Sequence, residues 1–283
     1  MKTILCCGDW GHDPTESVQN FFQEYMYDEL FLLGDNFYPS GVETIYDKKW
    51  RERVFSLFPE KIIKRACLGN HDYLGNPLSQ IEYTFFGRPR QKWYLPHYYY
   101  DVVDNQESIH CLFLDTQILA TDITYELLDA CFVSDKRRKQ YTHLVHQERQ
   151  RQINWLRRTL GKSTSRWKIV CGHYPILSNG PHSVSPMMKE ILYPILKEFK
   201  VDLYLSGHDH NTQCIKDGTI VSIVSAGVFP EGYHIERINE PATIYMNNDP
   251  GLISIKILEN RIYLYNVTIE TKKETLIHIM IKD

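Results

Sequence analysis

The chain has 283 residues, 43% of them hydrophobic and 24% charged, with a formal net charge of -3. That length suits one layered α/β unit with a sizeable core, and the charge balance excludes a protein that relies on bulk positive charge to hold nucleic acid or a membrane surface. No run approaches the roughly 18 consecutive apolar residues of a membrane span.

The N-terminal "MKTILCCGDW" has too short an apolar stretch for a signal peptide and leads directly into a strand that ends in an acid, so an intracellular protein is expected. "TILCCGD" predicts a strand, "TESVQNFFQEYMYD" a helix, "ELFLLGDN" a strand, "TIYDKKWRERVFSLF" a helix and "RACLGNHD" a strand. The alternation resumes with the strand "SIHCLFLDT", the helix "QERQRQINWLRRTL", the strand "WKIVCGHYP", the helix "MMKEILYPILKEF" and the strand "VDLYLSGHDH". Short apolar runs of this kind predict buried parallel strands. The last quarter is β-rich, with Glu259-Asn260-Arg261 as a hairpin turn. The fold class expected is α/β, with two mixed sheets packed face to face and helices outside, in a single domain over 1–283.

Residues 120–150 exceed the usual connection length and read either as a lid or as a surface excursion, with Lys136 to Lys139 forming a solvated basic run. Seven cysteines make an odd set. Cys6, Cys7, Cys67, Cys111 and Cys171 fall inside apolar runs, which predicts buried, reduced thiols. The sequon at Asn266 is of a kind expected by chance.

Each apolar run ends in a polar cluster: Asp9 in "CCGDWG", Asp35 in "LLGDNFY", Asn70 and His71 in "CLGNHDY", His173 in "VCGHYP", His208 and His210 in "LSGHDHN". Ligands of α/β sheets bind at the carboxyl ends of strands, so these groups should converge. A lone Gly-Asp is ordinarily a turn and a lone histidine ordinarily structural. Five endings that all offer oxygen or imidazole donors, each behind a glycine, point to a metal site.

This order of motifs resembles the calcineurin-like metallophosphoesterases. "GDWG", "GDNFYPSG", "GNHDYLGN", "GHYP" and "SGHDHN" look like the purple acid phosphatase branch, in particular the small mammalian-type tartrate-resistant enzymes. The resemblance implies a four-layer sandwich and two metal ions. Asp9, Asp35, Tyr38 and His210 would hold Fe(III), while Asp35, Asn70, His173 and His208 would hold divalent Fe, Zn or Mn, with Asp35 bridging. A phenol of ordinary pKa near 10 ionises at neutral pH only against a strong Lewis acid, which suits the trivalent ion.

The implied reaction is hydrolysis of phosphate monoesters by in-line attack of a bridging hydroxide. His71 would protonate the leaving oxygen, Asp72 would orient His71, and Asn70, His71 and His182 would contact the substrate. Asp209 and His12 read as structural or surface residues. Asn179 stands where the acid phosphatases place a histidine, with His182 shortly after it. Alternatives are a phosphodiesterase or nucleotide pyrophosphatase on the same scaffold, or a non-catalytic scaffold. A Ser/Thr protein phosphatase fits less well, because Asn36-Phe37-Tyr38 stands where that branch has an Asp-Arg pair.

Overall fold

A computed structural model describes all residues except 121–134, 183, 229–234, 236–239 and 283, and leaves the side chains of 135–145 undescribed. The lid expectation for 121–134 and the basic run's side chains therefore lie outside the described residues.

The strands, in chain order, are β1 (Lys2–Cys7), β2 (Glu29–Leu33), β3 (Ile63–Cys67), β4 (Trp93–Tyr94), β5 (Tyr100–Asp104), β6 (Ile109–Phe113), β7 (Trp167–Cys171), β8 (Leu203–Ser206), β9 (Thr212–Asp217), β10 (Ile220–Val224), β11 (Thr243–Asn247), β12 (Gly251–Leu258), β13 (Arg261–Thr268) and β14 (Glu274–Ile281). They form two seven-stranded sheets, ordered β14-β13-β12-β1-β2-β3-β4 and β11-β9-β10-β8-β7-β6-β5. β1 to β4 run parallel, as do β6, β7, β8 and β10, while β12, β13 and β14 pair antiparallel. The α/β sandwich expected from the sequence is what the chain forms.

β1, β2, β6 and β8 are buried on both faces along almost their whole length, β1, β2 and β8 through apolar runs and β6 around the buried His110. Phe31 on β2 meets Phe113 on β6 edge to face across the sheets, with ring centroids 5.0 Å apart. Cys6, Cys7, Cys67, Cys111, Cys171 and Cys214 are all buried and free, as expected for the first five. Asn266 of the sequon is buried in β13 and donates to the Tyr245 hydroxyl at 3.2 Å, so the folded chain does not present it for glycosylation.

Helices cover the outer faces. α1 (Glu16–Glu24) is capped by Thr15 and buries Val18, Phe21 and Phe22. α3 (Thr116–Ala120), α4 (Asp135–Lys162) and α5 (Tyr193–Glu198) bury Leu119, Leu156, Leu160, Ile195 and Leu196 against the second sheet. α4 begins at Asp135, well before the helix read from "QERQRQINWLRRTL", so much of the expected excursion is helical. The helix expected over "TIYDKKWRERVFSLF" becomes a π-helical turn, Trp50–Phe55, whose wider winding buries Trp50, Arg53 and Val54 together. α2 (Pro77–Phe86) packs beside it. Among the described residues no helix is long and apolar enough to cross a membrane.

Lys64, at the start of β3, is fully buried and donates to the carbonyls of Pro59 and Gln91, each at 2.7 Å. Burial pulls its pKa down to about 7, with Glu60 opposing and Lys92 assisting. An unfolded lysine titrates near 10.4, so above pH 7 the unfolded chain keeps a proton that the folded chain has lost. The contribution of Lys64 to stability therefore grows as pH rises through 7. The buried cysteines act oppositely, since their thiols stay protonated in the fold. Subtracting the urea midpoint of Lys64→Met from that of wild type should isolate the lysine, and the difference should climb from pH 7 to 9. Parallel curves would show that Lys64 stays charged.

Candidate metal centre

Asp9 and Asp35 lie two residues beyond the ends of β1 and β2, neighbouring strands of the first sheet. His173 lies two residues beyond β7, and His208 and His210 follow β8 in the facing sheet. The sandwich thus brings carboxylates from one layer against imidazoles from the other. Four of these residues have left-handed backbone: Asp9 (φ 52°), Asp35 (φ 53°), His208 (φ 76°) and His210 (φ 49°). Such conformations are costly for residues with a Cβ and collect where surrounding structure imposes a functional geometry. Gly69 supplies the close approach the cluster needs, because a Cβ there would sit 2.2 Å from Asp35 Oδ1.

The contacts fall into two groups joined by Asp35. Tyr38 Oη lies 2.8 Å from Asp35 Oδ2, 3.2 Å from Asp9 Oδ1 and 3.2 Å from His210 Nε2. His210 Nε2 is itself 3.3 Å from Asp9 Oδ1. On the other side, His173 Nε2 is 3.0 Å from Asn70 Oδ1 and 3.5 Å from Asp35 Oδ2. The His208 ring packs beside that of His173, centroids 5.1 Å apart. Ligand atoms of Asp9, Asp35 and His173 all fall within 4.8 Å of one another. Backbone amides hold the outer oxygens: His208 N donates to Asp9 Oδ2 at 2.7 Å and His71 N to Asp35 Oδ1 at 2.9 Å.

The arrangement fits a cation. Among the described residues neither carboxylate pairs with a lysine or arginine, although both are almost fully buried. His173 Nδ1 lies 2.9 Å from the Leu33 carbonyl, so it carries a proton and leaves Nε2, which faces two oxygens, as the nitrogen a cation would engage. Burial opposes charge on this ring, but Asp35 and Asp9 outweigh it and push its pKa up. Burial would raise the Asp9 carboxyl, yet His173 and then His210 outweigh it and hold Asp9 well below the usual range. Burial drives His208 down to about 2 and keeps its imidazole neutral, as a ligand must be. Burial, Asp9 and Asp35 all push the Tyr38 phenol far upward, so it ionises here only against a strong positive charge.

Asp72 requires a correction. It does not orient His71: the His71 ring nitrogen Nδ1 lies 2.6 Å from the Pro39 carbonyl instead. Asp72 opens a short 3₁₀ turn, Asp72–Leu74, and turns its carboxylate into the core. There it accepts from the amides of Gly69 (2.9 Å) and Asn36 (3.0 Å) and from the side chains of Gln80 (2.8 Å) and Asn36 (3.2 Å). Asp72→Ala would leave these donors unpaired and is expected to cost about 3 kcal/mol or more of stability by urea unfolding. Loss of activity without loss of stability would restore a role beside His71.

Asn179, standing where the resembling enzymes have a histidine, is buried and structural. Its amide donates to Thr243 Oγ1 at 2.9 Å and accepts from Glu240 N at 2.8 Å. His182 stands at the rim, its ring 4.4 Å from that of His208 and its Nδ1 3.0 Å from Asp209 Oδ1. Asp209 is fully buried and also accepts from Ser178, in keeping with the structural reading. His12 is closer to the centre than expected, with its ring stacked on Tyr38 at 3.9 Å and 21°. Thr116, which the motifs did not single out, accepts from the amides of His173 and Tyr174 at 2.9 and 3.0 Å. The proximity of His12 to Asp9 in sequence was the available signal for the former. Nothing local marked the latter.

Residues 2–212 match the model of the calcineurin-like phosphoesterase family. The chain belongs to that family. It is 28% identical over 242 residues to human tartrate-resistant acid phosphatase type 5, covering 79% of this chain and 71% of that protein. Of solved structures, GAP50, the anchor in the inner membrane complex of Plasmodium, is similar at a TM-score of 0.78 and 22% identity, covering 100% of this chain and 89% of that one. A purple acid phosphatase, PPD1 of yellow lupin, is similar at a TM-score of 0.72 and 14% identity, covering 100% of this chain and 54% of that one. These two likenesses concern the fold. The resemblance to the purple acid phosphatase branch read from the motifs is borne out by the human relative.

Proposed function

We propose that this calcineurin-like phosphoesterase hydrolyses phosphate monoesters at a two-metal centre. The observation that carries the reading is the Asp35 carboxylate, one oxygen of which lies 2.8 Å from Tyr38 Oη and 3.5 Å from His173 Nε2, between the two donor groups. Asp9, Asp35, Tyr38 and His210 would hold Fe(III), whose charge a phenolate and two carboxylates match. Asp35, Asn70, His173 and His208 would hold divalent Fe, Zn or Mn. When bound, such a pair supplies an activated water and neutralises charge on the phosphoryl oxygens.

The chain's own residues do the rest. Asn70 and His71 face the phosphoryl group and His182 flanks it beside His208. With Nδ1 committed to the Pro39 carbonyl at 2.6 Å, His71 has Nε2 left to hold a proton and deliver it to the leaving oxygen.

Purified protein should contain about two metal ions per chain, iron among them, and should cleave monoesters faster than diesters. His71→Ala should lose most activity on alkyl phosphates and least on aryl phosphates, because a strongly basic leaving group needs its proton more. A clear preference for diesters would promote the phosphodiesterase reading, and a well-folded chain that takes up no metal would promote a scaffold.

A further inference from the structure

A second concavity lies away from the metal-binding side chains, between segment 45–51 and the end of α2 through Arg88. It encloses about 490 Å³, within the range of ligand-binding sites. Its floor is Trp50 stacked on Tyr83, ring centroids 3.6 Å apart and 13° from parallel. The Tyr83 ring is buried, with the Arg88 backbone amide and charge beside its hydroxyl.

The rim is basic although the whole chain is acidic. Lys48, Arg51 and Arg88 line it with one acid, Asp47, whose carboxylate is already taken by the backbone amides of Glu43 and Lys49. Lys48 reaches Glu52 at 3.9 Å, while among the described residues Arg51 and Arg88 pair with no carboxylate. The Arg88 guanidinium is steadied 5.0 Å above the Phe55 ring. Two of the lining aromatics stand in solvent, Tyr46 (87% exposed) and Phe86 (72%), and Phe85 lies beside Phe86. Exposed aromatics grouped around unpaired guanidinium groups have the composition of a recognition surface.

We propose that this groove binds an acidic peptide segment of a partner protein that carries an aromatic residue. The aromatic side chain would pack against Tyr46 and Phe86, and flanking carboxylates would engage Arg51 and Arg88 in forked, charge-assisted hydrogen bonds. A small anion would satisfy the arginines and leave the aromatic side chains bare, so the surface as a whole matches a peptide. One wall continues the segment that carries Tyr38, and the other continues the segment that carries His71 through α2.

The test is fluorescence anisotropy of a labelled six-residue peptide of alternating Glu and Phe, titrated with the full chain. Saturable binding is expected, about tenfold or more tighter than for the same peptide with Lys in place of Glu, and weakened by salt. Arg51→Glu combined with Arg88→Glu should weaken it by a further factor of about ten or more, with hydrolysis of a small aryl phosphate unchanged. Tyr46→Ala, at an exposed position, should also weaken binding and guards against misfolding of the double variant. Equal affinity for the two peptides, or binding indifferent to both sets of substitutions, would overturn the proposal. So would competition by inorganic phosphate, which marks a small-anion site, or self-association abolished by the arginine substitutions, which marks a dimer contact. The measurement needs no turnover, so its failure is distinct from failure of the phosphatase reading.

Discussion

Asp35→Asn is expected to lower kcat/KM on phosphate monoesters by roughly three orders of magnitude or more, the scale of several kcal/mol of lost transition-state stabilisation. Asparagine keeps the shape of the side chain and an oxygen for His71 N, which Asp35 Oδ1 accepts at 2.9 Å. It removes the charge that both donor groups share through Oδ2. The fold should therefore survive, with an unfolding midpoint near that of wild type, while elemental analysis shows loss of metal from both halves. Activity within tenfold of wild type at full metal content would remove Asp35 from the bridging role. Loss from one half alone would confine it to that half.

Tyr38→Phe is expected to abolish a visible colour altogether. A phenolate bound to ferric iron absorbs visible light by charge transfer to the metal, so the wild-type protein isolated under oxidising conditions should be coloured and the variant colourless. Tyr38 is nearly buried and packed between His12, 3.9 Å away, and His71, 4.3 Å away, so phenylalanine fills the same space with little disturbance. With one negative charge fewer, the variant should hold its first metal more weakly and accept a divalent ion there more readily. A spectrum and metal content unchanged in the variant would make Tyr38 a wall of the pocket that stacks on substrate. A colourless wild type containing ferric iron would remove the phenolate.

The strands were legible because burial on both faces favours an apolar run, and β1, β2 and β8 each carry one. The donor residues were legible for a related reason, since each follows a strand at once and carries a glycine where the backbones crowd. Helix boundaries were less so. The residues of Trp50–Phe55 have a helical pattern, yet they wind as a π-turn around the stacked pair Trp50 and Tyr83, a contact between segments far apart in sequence.

Roles that depend on where a side chain turns were not legible. Asp72 follows His71 directly and reads as its partner, but donors from Asn36, Gly69 and Gln80 draw it into the core. Asn179 reads as a gap in the substrate-binding set, and its amide is in fact held by Thr243 and Glu240, far along the chain. His12 reads as surface and lies on Tyr38.

The sequence by itself determined the α/β class, the order of the elements and the residue types at the end of each central strand, because periodicity and strand-end chemistry are local properties. Tertiary structure alone decided which oxygen of Asp35 faces both donor groups, that Pro39 and not Asp72 positions His71, and that Trp50, Tyr83, Arg51 and Arg88 share one groove. Those outcomes depend on distances between segments separated by tens of residues, set by packing two sheets against each other, and no single stretch of the chain encodes them.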